Sequence, residues 1–318
     1  MSGRPWDGGR VLVTGARGFI GQHLRKHLDD AGAEVIGASN DGVADVTFDL
    51  RDPASIRDAL KSVCPSVVIN LAAIADPRQA DDDPVLAYDV NVLGQLRLIL
   101  AMRELVPRAR LVVVGSALQY GRDGAGGLIG EDDPLRPDGV YAVTKTAADL
   151  QAWQHYQTDG LDIVRVRLFN VVGPGRPDSY FPAPQIRQVV EISEFGAPPI
   201  INTLGLQDSL DFIDVRDAAS AIEAVAIRGV PGEAYNVASG KATPLRTVID
   251  RLMAVSGVEA EVAEPPIEVG RSGRVVIGNV SKIARDTGWR PVRSLDDSLR
   301  DALEDVRRRM VAVSPAGA

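Results

Sequence analysis

"RVLVTGARGFIG", residues 10 to 21, joins a short apolar run at Val11 to Val13 to a glycine series at positions 15, 18 and 21. A run this brief suits a strand buried on both faces, and the mixed stretch "GQHLRKHLDDAG" behind it reads as a helix ended by glycine. Glycines at these places allow a tight turn, close approach of backbone to a pyrophosphate, and packing of helix on strand, with the anion at a helix N-terminus. Because the series follows the first strand and opens a helix, it predicts a dinucleotide site built by Gly15, Arg17, Gly18, Phe19, Ile20 and Gly21.

Outward from this loop the first half alternates short strands with longer mixed segments. "EVIGAS", "VTFDL", "SVVINLAA", "RLVVVGS" and "DIVRVRLFN" are rich in Val, Ile and Leu, and "DPASIRDALKSV" starts with Asp52 and Pro53 in helix cap and first-turn positions. The rhythm predicts an α/β fold: a Rossmann-like, doubly wound parallel sheet. Beyond residue 172 the pattern loosens at "GPGRPDSYFPAP", whose prolines fit neither a helix interior nor a central strand. The expected division is a dinucleotide-binding domain from 1–172 plus 212–239, a smaller, discontinuous substrate lobe from 173–211 plus 240–312, and a frayed tail at 313–318.

The 318 residues are 45% hydrophobic and 25% charged, ordinary values for a globular chain long enough to bury a sizeable core. A net charge of -8 argues against nucleic acid and acidic membranes as partners, since no global positive field gathers polyanions. The single cysteine, Cys64, excludes an internal disulfide and fits a reducing, cytoplasmic setting; beside the apolar "PSVVIN" it is expected to pack inward. His23, His27 and His155 lack companions in a ligand pattern, so no metal site is predicted.

The end of the second strand decides between dinucleotides. An acidic residue there would bind the adenosine ribose and repel a 2'-phosphate. The chain has Ser39 and Asn40 instead, and Arg17 in the glycine loop is placed to pair with a phosphate. NADP is favoured, while Asp41 nearby keeps NAD open. Asp49 and Leu50 are expected to flank the adenine, and Leu71, Ala72 and Ala73, after Asn70, to line the far side of the dinucleotide. Farther on, Tyr141 and Lys145 stand four apart in a helix-like run, which sets a phenol and an ammonium on one helical face.

With the glycine loop, "VVVGSALQYG" and the Tyr141/Lys145 pair in this order, the chain resembles the extended short-chain dehydrogenase/reductases that act on nucleotide sugars. "LFNVVGPG", "DFIDVRD", "YNVASG" and "TGWRP" extend the likeness over nearly the whole length. Within that family it looks most like the members that reduce GDP-linked 4-keto-6-deoxy-mannose. The resemblance implies that Tyr141 is the general acid or base and that Lys145 reaches both the cofactor ribose and the phenol's surroundings, favouring the phenolate. It also implies that Ser116 hydrogen-bonds the reacting oxygen, with Ala117 and Leu118 beside it and Asn170 on the sugar or its phosphate.

Family dehydratases carry an acid and base where this chain has Ala117 and Leu118, so dehydration is not expected. A reductase using NADPH on a keto group, at C4, of a nucleotide-linked deoxy sugar is the favoured reading; an epimerase with tightly bound NAD is the alternative, and a dinucleotide-sensing non-enzyme a third. The family's diphosphate-gripping arginine is replaced by Leu210, which leaves Arg187, Arg216, Arg271 and Arg274 as candidate substitutes. Residues 121–130, "GRDGAGGLIG", read equally as a cover over the sugar or an ordinary loop. The helices from "NVLGQLRLILAMREL" and from Tyr141 to Gln157 resemble those that pair in family homodimers.

Overall fold

The first strand and the helix behind the glycine loop form as the sequence pattern requires. In the computed structural model, which describes Trp6 and residues 9–121, 127–265 and 273–313, β1 (Arg10–Thr14) leads through the loop into α1 (Phe19–Asp30). The chain continues through β2 (Glu34–Ser39), β3 (Val46–Thr47), α2 (Pro53–Val63), β4 (Val67–Asn70), α3 (Pro77–Asp82) and α4 (Pro84–Tyr88). A π-helical turn at Asp89–Gly94 runs into α5 (Gln95–Leu105), then β5 (Arg110–Ser116) and a 3₁₀ turn at Ala117–Tyr120. Next come β6 (Leu128–Ile129), α6 (Val140–Asp159), β7 (Ile163–Leu168), β8 (Asn170–Val172), α7 (Ala183–Phe195), β9 (Ile200–Asn202) and β10 (Ser209–Asp214). The last elements are α8 (Val215–Arg228), β11 (Ala234–Val237), β12 (Ala242–Pro244), α9 (Leu245–Ser256), β13 (Glu261–Ala263), β14 (Val275–Gly278), α10 (Ser281–Thr287) and α11 (Leu295–Val313).

Seven strands form one parallel sheet in the order β11-β7-β5-β4-β1-β2-β3. Chain order reverses between β1 and β4, so a crevice opens beyond the carboxyl ends of those two strands, where doubly wound sheets bind ligands. Val11 and Val13 pack on one face with Leu24 and Leu28 of α1 and Ile222 of α8; Leu12 packs on the other with Ile56 and Leu60 of α2 and Leu98 of α5. Both faces are covered, which is why the strands read as unbroken apolar runs. Local signals hold at α2, where Asp52 accepts from the Ala54 amide at 2.9 Å and Pro53 occupies the first turn.

Beside this sheet, β12, β10, β14 and β6 pair in that order, β8 joins β10, and β9 pairs with β13. A separate apolar cluster of α7, α9 and α11, with Ile186, Val189, Ile249, Leu252 and Leu303, packs there. Asp211 fastens this region. It is fully buried, and its carboxylate accepts from the amides of Ser239, Gly240 and Gly278 and from the Ser239 hydroxyl at 2.6 to 3.2 Å.

Three expectations change. Cys64 is exposed, not packed inward: it caps α2 in the left-handed conformation at φ 46°, which turns its side chain away from the core. Of "VTFDL" only Val46 and Thr47 are strand, while Phe48 and Leu50 are buried in the core beyond it. Within 121–130, residues 122–126 lie outside the described residues, but Leu128 and Ile129 form β6 against β14. The tail beyond Val313 also lies outside them.

Candidate active site

The glycine loop is a cradle that side chains would fill. Gly15 has φ +64°, and a Cβ there would meet the Ala72 amide nitrogen at 2.9 Å. A Cβ on Gly21 would collide with the Gly15 carbonyl oxygen and come within 2.8 Å of the Ala16 backbone. Gly18 precedes α1 without any side-chain cap, so the first amides of the helix, from Phe19 and Ile20 onward, are left for an anionic ligand. These features fit a dinucleotide pyrophosphate. Thr14 ties the loop to its neighbour: its hydroxyl donates to Asn70 Oδ1 at 2.7 Å and accepts from the Ala72 amide at 3.2 Å. Leu71, Ala72 and Ala73 are half-buried after β4.

At the adenosine end, Arg17 Nε lies 2.9 Å from Asp41 Oδ2, and the Ser39 hydroxyl donates to Asp41 Oδ1. The hydrogen bond from Ser39 does most to hold the Asp41 carboxyl below its ordinary range, with the Val43 amide and Arg17 adding to it. Asn40 is exposed. Arg17 and Arg25 also line a cleft of about 560 Å³ outside the loop. The Asp49 carboxylate takes Arg51 Nη2 at 2.9 Å, whereas Leu50 packs into the core, 3% exposed.

At the carboxyl end of β5, Ser116 caps the 3₁₀ turn, accepting from the Leu118 amide at 3.2 Å, and its own amide donates to Gln119 Oε1 at 2.8 Å. The Tyr141 phenol of α6 lies near it. Burial pushes that phenol up to about 12, and Ser116 opposes the shift. Ala117 is buried and Leu118 half exposed. One turn along α6, Lys145 is 9% exposed, and burial lowers its ammonium to about 8, against the pull of Asp149. Desolvation is the largest influence on both groups. Behind Lys145, burial pushes the Asp149 carboxyl up, but Arg167 and Arg165 outweigh it; the contacts are 3.0 and 2.6 Å.

Asn91 was not legible as a site residue. From the π-helical turn it accepts from the Ile74 amide at 2.8 Å and donates to the Ile74 carbonyl and to Thr144 at 3.0 Å, locking the chain after β4 against the Tyr141 helix. No motif marks it, because a π-turn shifts the helical phase that spacing arguments assume. Arg176 and Tyr180 also stand at this crevice unannounced by the sequence. The Tyr180 hydroxyl donates to the Ala75 carbonyl at 2.8 Å; burial most of all raises its pKa, and Asp76 and Tyr141 add to the shift.

The substrate-side candidates do not gather in the same way. Asn170 on β8 donates to the Asp211 carbonyl at 2.9 Å. Arg187 pairs with Asp178 and Glu191 on α7, Arg216 with Asp214 and Asp301, and Arg274 with Asp208 at 2.6 Å. Arg271 lies outside the described residues. His27 meets Glu223, and His23 the Pro174 carbonyl.

Residues 11–238 match the NAD dependent epimerase/dehydratase family, and the chain belongs to it. It is 31% identical to GDP-6-deoxy-D-mannose reductase of Pseudomonas aeruginosa over 95% of this chain and 98% of that protein. The solved structure of RMD from Pseudomonas aeruginosa complexed with NADPH superposes with a TM-score of 0.87, at 30% identity, covering 95% of this chain and 98% of that one. The UDP-glucose 4-epimerase of Thermus thermophilus, solved in complex with NAD, gives 0.81 at 28% identity over 94% and 99%.

Proposed function

We propose that this member of the epimerase/dehydratase family is an NADP(H)-dependent reductase of the C4 keto group of a nucleotide-linked deoxy sugar, with Tyr141 as the proton donor. The observation that carries the reading is the placement of Tyr141 and Lys145 one turn apart on α6, with Ser116 at the carboxyl end of β5 and the glycine cradle after β1. Reduction consumes one proton, and a phenol beside the reacting oxygen can yield it to a more basic alkoxide. Nicotinamide, when bound, supplies the hydride. Ser116 holds the carbonyl oxygen by hydrogen bonding, Tyr141 transfers its proton to that oxygen as the carbon is reduced, and the resulting phenolate is steadied by Lys145 one turn away. Ala117 and Leu118 offer neither acid nor base, so elimination of water has no agent.

The similarity to a GDP-6-deoxy-D-mannose reductase over nearly the full length supports the substrate class, and the NADPH held by a related structure supports the cofactor. Ser39 and Arg17 support NADP as well; Asp41, engaged with both, leaves NAD usable. Gly15, Gly18, Phe19, Ile20 and Gly21 are assigned to the dinucleotide, with Leu71, Ala72 and Ala73 on its far side. The seven-stranded sheet, residues 1–172 with 212–239, is assigned to the dinucleotide and 173–211 with 240–312 to the nucleotide sugar, the boundary at 212 falling inside β10. Leu93, Leu100, Leu150 and Trp153, exposed on and before α5 and on α6, support a homodimer through these helices. Cysteine usage supports a cytoplasmic setting.

The test is NADPH consumption with GDP-4-keto-6-deoxy-mannose by the wild type and by Tyr141→Phe. The variant should bind NADPH unchanged and turn over about 10²- to 10⁴-fold more slowly. Protein that consumes no NADPH with any 4-keto sugar nucleotide and carries tightly bound NAD would replace this reading with the epimerase.

A further inference from the structure

Arg176 follows the Gly173–Gly175 turn that leads from β8 toward α7. Its guanidinium lies 5.7 Å from the centre of the Phe19 ring and 4.9 Å from that of Tyr180. Phe19 opens α1 at the glycine cradle, and Tyr180 neighbours the Tyr141 phenol. The cation therefore spans the ground between the pyrophosphate turn and the reacting group. The segment is pinned there by His23 Nε2, 2.9 Å from the Pro174 carbonyl oxygen, and by the Gly175 amide, which donates to Asp305 at 2.9 Å.

Its bonding is incomplete. Nη1 donates to the Val171 carbonyl, but Nε is buried with no partner, and no carboxylate among the described residues pairs with the group. Arg187, Arg216 and Arg274, by contrast, are all met by carboxylates. Burial without a counter-charge pushes the Arg176 guanidinium down to about 10, with Tyr180 opposing. A desolvated cation with an orphan donor is costly, and the two aromatic rings lie within cation–π range of it.

We propose that Arg176 is the diphosphate-binding cation of this chain, its guanidinium donating to phosphate oxygens laid between the glycine cradle and Tyr180, and so supplies the charge that Leu210 cannot. The inference rests on the reading of the crevice as a dinucleotide and nucleotide-sugar site. The diphosphate can belong to either molecule, and the experiment separates them.

NADPH is titrated by fluorescence, and GDP by calorimetry, into wild type, Arg176→Met and Arg176→Lys. The methionine variant should lose about 10- to 100-fold in affinity for at least one ligand, with part recovered by lysine. Loss toward NADPH alone assigns the dinucleotide, and loss toward GDP alone assigns the nucleotide sugar. Affinities for both ligands within twofold of wild type overturn the proposal. If the variants do not fold, the Nε–Hε resonance of Arg176 in the wild type decides. A shift on saturation with NADPH or GDP supports the proposal, and a resonance unmoved by both overturns it. These are binding measurements, so a protein that fails to reduce 4-keto sugars would sink the reductase reading and leave this test intact.

Discussion

Replacing Lys145 by methionine should make the protein more stable near neutral pH while disabling it. Lys145 is 9% exposed, and burial lowers its ammonium from 10.5 to about 8. That displacement corresponds to about 3 kcal/mol of cost for holding the charge in the folded state. Methionine fills similar volume without a charge, and Asp149 keeps both Arg165 and Arg167, so the change leaves no buried carboxylate unpaired. Below about pH 8 the lysine is charged in both the folded and the unfolded chain, and the cost is fully present. Between about 8 and 10.5 the folded chain binds fewer protons than the unfolded one, so the wild type gains stability as pH rises through that window. The variant lacks this gain. Thermal unfolding followed by circular dichroism should show Lys145→Met melting about 5 °C above wild type near pH 7, with the gap closing by about pH 10. In the same series, wild-type kcat/KM for reduction should fall as pH rises through about 8, while Tyr141 stays protonated. A variant less stable than wild type at neutral pH, or a gap that does not change with pH, would refute the desolvation argument.

Gly21→Ala drives a methyl into the Gly15 carbonyl, so it should cost about 1–3 kcal/mol and weaken NADPH binding together, read from thermal midpoints and NADPH titration; an unchanged titration would show that the cradle does not hold the coenzyme. Asp41→Asn frees Arg17 and Ser39 from a competing carboxylate, so the ratio of NADPH to NADH affinity should rise about threefold, the size expected of an exposed pair, and a fall in that ratio would place the 2'-phosphate elsewhere.

The local parts of this protein were written in the order of its residues. A glycine series after an apolar run, cap residues such as Asp52, and Tyr141 four before Lys145 need only backbone geometry and helical period to be read. The parallel sheet follows from the alternation of such segments, because buried strands leave unbroken apolar runs. Charge balance was not legible in this way, since it depends on which side chains meet across elements remote in sequence. Lys145 reads as a cation that favours the phenolate, yet its burial weakens its charge, and the burial of Tyr141 raises the phenol. Arg187, Arg216 and Arg274 read as candidates for the diphosphate, and the fold sets a carboxylate against each. Arg176, in a proline-rich stretch with no motif, is brought by the turn after β8 against two aromatic rings, and no carboxylate among the described residues pairs with it. Asn91 is aimed at Ile74 and Thr144 only by a π-turn. Residue order determined which groups are present and the elements that carry them; tertiary packing decided which of them keep their charge, because desolvation and pairing are properties of the space around a group.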